Sequence, residues 1–153
     1  GREWDHDASL DWHLLGIEPH RGIQRWVRDL NTLYRAEKSL HERDCEAGGF
    51  AWVDCGDAAS SIVSLMRWGH DDGEAVLFVF NFTPVPRWDY RIGVPWGGSW
   101  KEILNSDASL YGGSGQGNLG GQRAEPVPMH GRPCSISIAL PPLAVVAFRG
   151  RRP

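Results

Sequence analysis

The feature that most constrains this chain is the apolar run Ala75–Phe82, closed by Pro84 and Pro86 and followed at once by a second strand-like run over Trp88–Val94. The Val and Phe content of the first run suits a pleated surface packed on both faces. The prolines remove two ladder donors and fix φ, so a strand there has to stop. Beyond them Tyr90, Ile92 and Val94 fall on one face, the period-two pattern of a half-buried strand. Glu74–Val94 therefore predicts the spine of a sheet on which the C-terminal half packs.

The remaining blocks agree with that spine. Phe50–Asp54 and Ser61–Trp68 read as short strands around a turn at Gly56–Ala59, and Asp72-Gly73 is a hairpin signal leading into the spine. Trp100–Leu104, Ser135–Leu140 and Leu143–Phe148 add three more. About seven short strands with turn signals between them predict an antiparallel sandwich. Upstream, His20–Leu40 predicts a helix, because Ile23, Trp26, Val27, Leu30, Leu33 and Tyr34 recur at helical spacing as one apolar stripe. Such a stripe needs a surface to cover it. Gly48-Gly49 marks the change from helix to strands.

Composition narrows the partners. A net charge of −3 gives no basic footprint for nucleic acid or an anionic membrane. No apolar run approaches the ~20 residues needed to span a bilayer, and nothing at the N-terminus reads as a signal peptide. Cys45, Cys55 and Cys134 lack metal-ligand spacing, and free thiols in a reducing cytoplasm are the expected state. Two motif matches carry no function. Gly115–Gly120 fits GxGxxG but is followed by Gly121, Pro126 and Pro128 rather than a helix, so a dinucleotide is not expected. Asn81-Phe82-Thr83 fits a glycosylation sequon but closes a strand expected to be buried.

The residue cluster with the richest chemistry is the N-terminal stretch REWDHDASLDWHLL, with Trp4 and Trp12 among Glu3, Asp5, His6, Asp7, Asp11 and His13. These residue types allow metal ligands, an acid/base pair, or a sugar subsite in which carboxylates accept from hydroxyls beside stacking indoles. A solvated loop pinned by its tryptophans is equally consistent, and no defensible metal spacing is present.

Taken as a series, REWDHDASLDWHLL, HRGIQRWVRDLNTLYRAEKSLHE, FAWVDC, NFTPVPRWDYRIGVP, ILNSDASLYGGSGQGNLGG, HGRP and LPPLAVVAFR resemble the C-terminal part of the bacterial glycogen branching enzymes, the 1,4-α-glucan branching enzymes of the α-amylase superfamily. The family pattern has Asn where this chain has Asp5. The resemblance implies that residues 1–44 are the end of a (β/α)8 barrel domain, with Gly1–Leu15 as its last active-site-side loop and His20–Glu42 as its last helix. Residues 45–153 would be the C-terminal β-sandwich of the amylase type. In this family an α-1,4 bond is cleaved to a glucosyl-enzyme ester, which a 6-hydroxyl captures to form an α-1,6 branch. The three carboxylates that do this lie on earlier barrel strands. His6-Asp7 is not the family's catalytic pair, so no catalytic residue is assigned.

Two functional expectations result. The first is a non-catalytic, structural fragment of a cytoplasmic glycosyltransferase of glycogen biosynthesis, without cofactor or metal, bound to its own barrel domain, inactive alone and prone to self-association through the helix stripe. The second is an α-glucan-binding module, for glycogen or amylose, with exposed indoles among Trp88, Trp96 and Trp100; the part expected to face the reacting glucan is the loop of Trp4, Asp5 and Trp12 at the other end. The chain begins without Met, which agrees with a piece of a longer protein.

Overall fold

A computed structural model describes residues 5–153. A 3-10 turn, Trp12–Gly16, leads into the helix α1 (Glu18–Ala36). Proline in its first turn and Glu18 beside the positive end of the helix dipole suit that start, two residues before the sequence pattern begins. The helix ends at Ala36 rather than Leu40, because Glu37 turns to extended backbone and is buried against Arg149, with Nη1 donating to Glu37 Oε2 at 3.2 Å. A second 3-10 turn, Lys38–Leu40, follows. Arg67 then ties the connector to the sheet, donating to the carbonyls of Gly49 and Leu40 and pairing with Asp44.

Eight strands come after: β1 (Phe50–Asp54), β2 (Ile62–Trp68), β3 (Glu74–Asn81), β4 (Arg87–Val94), β5 (Gly98–Asn105), β6 (Gly121–Ala124), β7 (Cys134–Leu140) and β8 (Val145–Arg151). Six form one antiparallel sheet in the order β1-β2-β3-β8-β5-β6, and β4 pairs with β7 in a second, two-stranded sheet. The strand absent from the sequence reading is β6. Its four residues, GQRA, are too short and polar to show a pattern, and it exists by pairing with β5 from Gly98↔Ala124 to Lys101↔Gly121. Gly121 allows this approach, since a Cβ there would collide with the β5 backbone.

The spine behaves as its composition predicts. From β3, Ala75, Leu77 and Val79 enter the core between the two sheets, joined by Ile92 and Val94 of β4, Ile136 and Ile138 of β7, and Phe148 of β8. The alternate residues Val76 and Phe78 enter a smaller cluster on the outer face, where Trp26, Leu30 and Leu33 of α1 cover them. Both faces of β3 are thus buried, one by strands and one by the helix.

The stripe of α1 is only half covered. Ile23, Val27 and Tyr34 lie about 60–100° round the helix from Trp26 and are 63%, 50% and 48% exposed. Among the described residues, no helix is long and apolar enough to cross a membrane, and the three cysteines are free.

Candidate functional site

Two regions place chemistry-bearing side chains together. The first joins α1 to the sandwich through the loop between β5 and β6. That loop is built from its own polar residues. Asn105 Oδ1 accepts from the Asp107 amide at 2.9 Å, while its Nδ2 donates to the Gln116 carbonyl at 2.7 Å. Asp107 in turn accepts from the backbone and hydroxyl of Ser114. Glu102 and the Ala139 backbone hold Asn118.

So braced, the loop presents Tyr111 to the helix. Its ring meets Trp26 edge-on with centroids 5.1 Å apart, and its hydroxyl donates to Asp29 Oδ2 at 3.0 Å. Burial and the Asp29 carboxylate push the Tyr111 hydroxyl up to about 12, while Arg28 and then Tyr111 hold Asp29 below its usual range. Gly22 is required at the crossing, because a Cβ there would strike the Tyr111 carbonyl. Arg25 closes the contact by donating to the Leu110 carbonyl at 3.2 Å. Helix and sandwich are therefore locked by a polar and aromatic joint as well as by apolar packing.

The second region surrounds Trp88. The β4–β7 register runs from Arg87↔Leu140 to Tyr90↔Ile138, so Trp88 and Asp89 together oppose one residue, Ala139. This is a β-bulge, with Asp89 in the left-handed region at φ 55°. Unbroken alternation would put Trp88 on the core side with Tyr90 and Ile92. The extra residue breaks that phase, and the indole is 63% exposed.

Trp88 stands between two clefts. One, of about 340 Å³, is lined by Asn118, Leu119, Gln122 and Ser137. The other, of about 640 Å³, is lined by Asp54, Asp57, Arg87, Tyr90 and His130. In the larger, Asp57 accepts from the Ser60 amide and the Tyr90 hydroxyl. The Ser60 backbone hydrogen bond is the main cause of its lowered pKa, and burial with Asp57 beside it pushes Tyr90 up. His130 Nδ1 accepts from the Gly93 amide, and its Nε2 lies 3.5 Å from Asp54. The Arg87 Nε is buried with no hydrogen-bond partner among the described residues.

The sequence candidates separate accordingly. Trp4 lies outside the described residues. Asp5 is partly buried and accepts from the Asp7 amide at 3.2 Å. Trp12 is exposed but lines neither cleft beside Trp88. Trp96 and Trp100 do not supply surface platforms. Trp100 is fully buried and stacks on Trp96 at 5.9 Å, and Trp96 is 8% exposed beneath the Arg152 guanidinium. Trp100 is inside because Gly150 on β8 has no side chain: a Cβ there would sit about 2.5–2.6 Å from three atoms of the indole.

The sequence reading also missed the role of Asn81. It is buried at the end of β3, and its side chain donates to the Val85 and Pro141 carbonyls at 2.9 Å each while accepting from the Thr83 amide and hydroxyl. The apparent sequon is a turn staple. Asp89, Gln122 and Arg87 were missed because only the folded sheet brings them around one indole. Among the described residues, no group of three or more His, Cys, Asp or Glu is arranged to hold a metal ion.

Residues 52–151 match the family described as "Alpha amylase, C-terminal all-beta domain". The chain is 57% identical over 148 residues to the 1,4-alpha-glucan branching enzyme GlgB of Aquifex aeolicus (strain VF5), an alignment covering 97% of this chain and 24% of that protein. It is 54% identical to the protein of the same name from Pseudomonas putida (strain KT2440), covering 97% and 20%. The Cereibacter sphaeroides protein of that name is 55% identical, covering 95% and 20%. The chain thus spans a quarter or less of the length of these curated relatives.

Proposed function

Because the chain belongs to the family of α-amylase C-terminal all-beta domains, we propose that it is the C-terminal portion of a cytoplasmic 1,4-α-glucan branching enzyme and serves that enzyme as a structural, non-catalytic brace. On this reading residues 1–44 close the (β/α)8 barrel, and residues 45–153 form the sandwich that holds its last helix in place. The parent enzyme cleaves α-1,4 bonds of glycogen or amylose and transfers the piece to a 6-hydroxyl. The carboxylates for that chemistry belong to barrel strands outside this chain.

The observation that carries the reading is the two-sided use of α1. Its Trp26/Leu30/Leu33 side is packed on the sheet and pinned through Tyr111, whereas Ile23 and Val27 stay exposed. A helix fastened so firmly on one side and left apolar on the next suits an element with a second partner, and the missing body of a barrel supplies one. Nearby, Leu10, Trp12 and Ile17 leave further apolar surface open. The anchoring loop is the one whose NSDASLYGGSGQGN pattern carries the family resemblance, which ties that pattern to support of the helix.

The test is an iodine-stained amylose assay on three soluble proteins: this chain alone, the Aquifex relative shortened by its C-terminal quarter, and that shortened enzyme with this chain fused in its place. No branching by the chain or the shortened enzyme, and branching by the fusion, is expected. Branching by the chain alone, or a soluble fusion no more active than the shortened enzyme, would overturn the proposal.

A further inference from the structure

We propose that the bulge at Trp88 is an α-glucan-binding platform, on which the indole stacks against one pyranose ring while the clefts on either side take its neighbours in the chain. The α-linkage rests on the functional reading above; the platform itself rests on geometry. A sugar-binding surface needs a flat aromatic face open to solvent and polar groups around it with unused hydrogen-bonding capacity. Trp88 supplies the face, at 63% exposed.

The polar groups are in place, and two of them are unengaged. Among the described residues, neither the Asp89 carboxylate nor the Gln122 amide makes a hydrogen bond, and both line the smaller cleft with the indole. On the other side Arg87 lines the larger cleft with its Nε buried and unpartnered. A carboxylate, an amide and a guanidinium offer acceptors and donors for vicinal hydroxyls. Clefts of about 340 and 640 Å³ fall in the size range of small-ligand sites.

Two non-glycine residues beside the smaller cleft, Asp89 at φ 55° and Leu119 at φ 52°, hold left-handed backbone, a conformation that ordinary residues adopt at a cost. Leu119 is fully exposed and lines this cleft with the indole. One platform with a cleft on each side favours a curved chain over a flat one. A β-1,4 ribbon calls for a row of coplanar rings, and the two clefts contain no tryptophan besides Trp88.

Affinity electrophoresis of the 153-residue chain in native gels cast with glycogen tests this. Wild-type mobility should fall as glycogen rises, with free maltoheptaose reversing the effect. Trp88→Ala should raise the apparent dissociation constant about tenfold, the loss of one stacking contact, and Trp88→Phe should recover part of it. Trp52→Ala removes another exposed indole away from both clefts and should leave retardation unchanged. Unretarded wild type overturns the inference, as does Trp88→Ala that binds like wild type with unchanged circular dichroism. The gel result is independent of the fusion assay above, so either proposal can fail without the other.

Discussion

Replacing Asn81 by alanine removes four hydrogen bonds at once, and their surroundings set the cost. The Pro141 carbonyl loses its Asn81 donor in a buried position, an orphaned acceptor worth about 1–3 kcal/mol. The Val85 carbonyl keeps a long bond from the Thr83 hydroxyl at 3.4 Å and is near solvent, so its loss is smaller. The Thr83 amide and hydroxyl lose their shared acceptor. At roughly 1 kcal/mol for each bond near solvent, and less for Val85, the total is about 3–6 kcal/mol. That is a large share of the ~5–15 kcal/mol by which a domain is stable, and it lowers Tm by about 6–24 °C. Asn81→Asp keeps the acceptor that the two Thr83 donors share but points a carboxylate oxygen at two carbonyl oxygens. It should be less stable than Asn81→Ala at neutral pH and recover towards acid, where a protonated carboxyl can donate. Urea unfolding followed by tryptophan fluorescence, at pH 7 and pH 4, measures both variants. A loss under about 1 kcal/mol for Asn81→Ala, or an Asp variant that does not gain on acidification relative to Ala, refutes the staple.

Three further predictions test other joints of the structure. Gly150→Ala drives a methyl group into the Trp100 indole and should cost about 1–3 kcal/mol, read as a lower thermal midpoint; an unchanged midpoint would show that the slot is not tight. Glu37 has its pKa raised, chiefly by burial, with Arg149 opposing and Glu74 assisting. The folded state therefore holds that proton more tightly than the unfolded chain, and the group's contribution, full below its ordinary value, is lost as pH rises through the raised one. The midpoint of Glu37→Gln minus that of wild type should accordingly climb as pH rises above the ordinary glutamate range, and a flat difference contradicts the assignment. Ile23→Glu with Val27→Glu places charges on the open side of α1. The unmodified chain should self-associate at high concentration in light scattering and the double variant should be monomeric; a monomeric wild type counts against that face as a docking surface.

What the sequence determined by itself was local. The alternation and proline punctuation of Glu74–Val94 defined β3 and β4 within a residue or so, because strand period and lost donors are properties of neighbours along the chain. Phe50–Asp54 appears as β1 with the same bounds for the same reason. The α1 stripe was legible as a stripe, yet how much of it is covered depends on the width of the outer sheet face, which no periodicity records.

The candidate site shows where such reading stops. Trp88 and Trp100 both flank turns in a glycine-rich, aromatic region, and by local pattern they are equivalent. Tertiary structure separates them. Trp100 goes inside because a glycine some fifty residues later leaves its slot: Gly150 lies directly opposite it on β8. Trp88 goes outside because pairing β4 with β7 leaves one residue too many, and the resulting bulge reverses its phase. Which indole is presented to solvent was decided by register between strands distant in sequence, since register is the quantity that assigns each side chain of a strand to one face or the other.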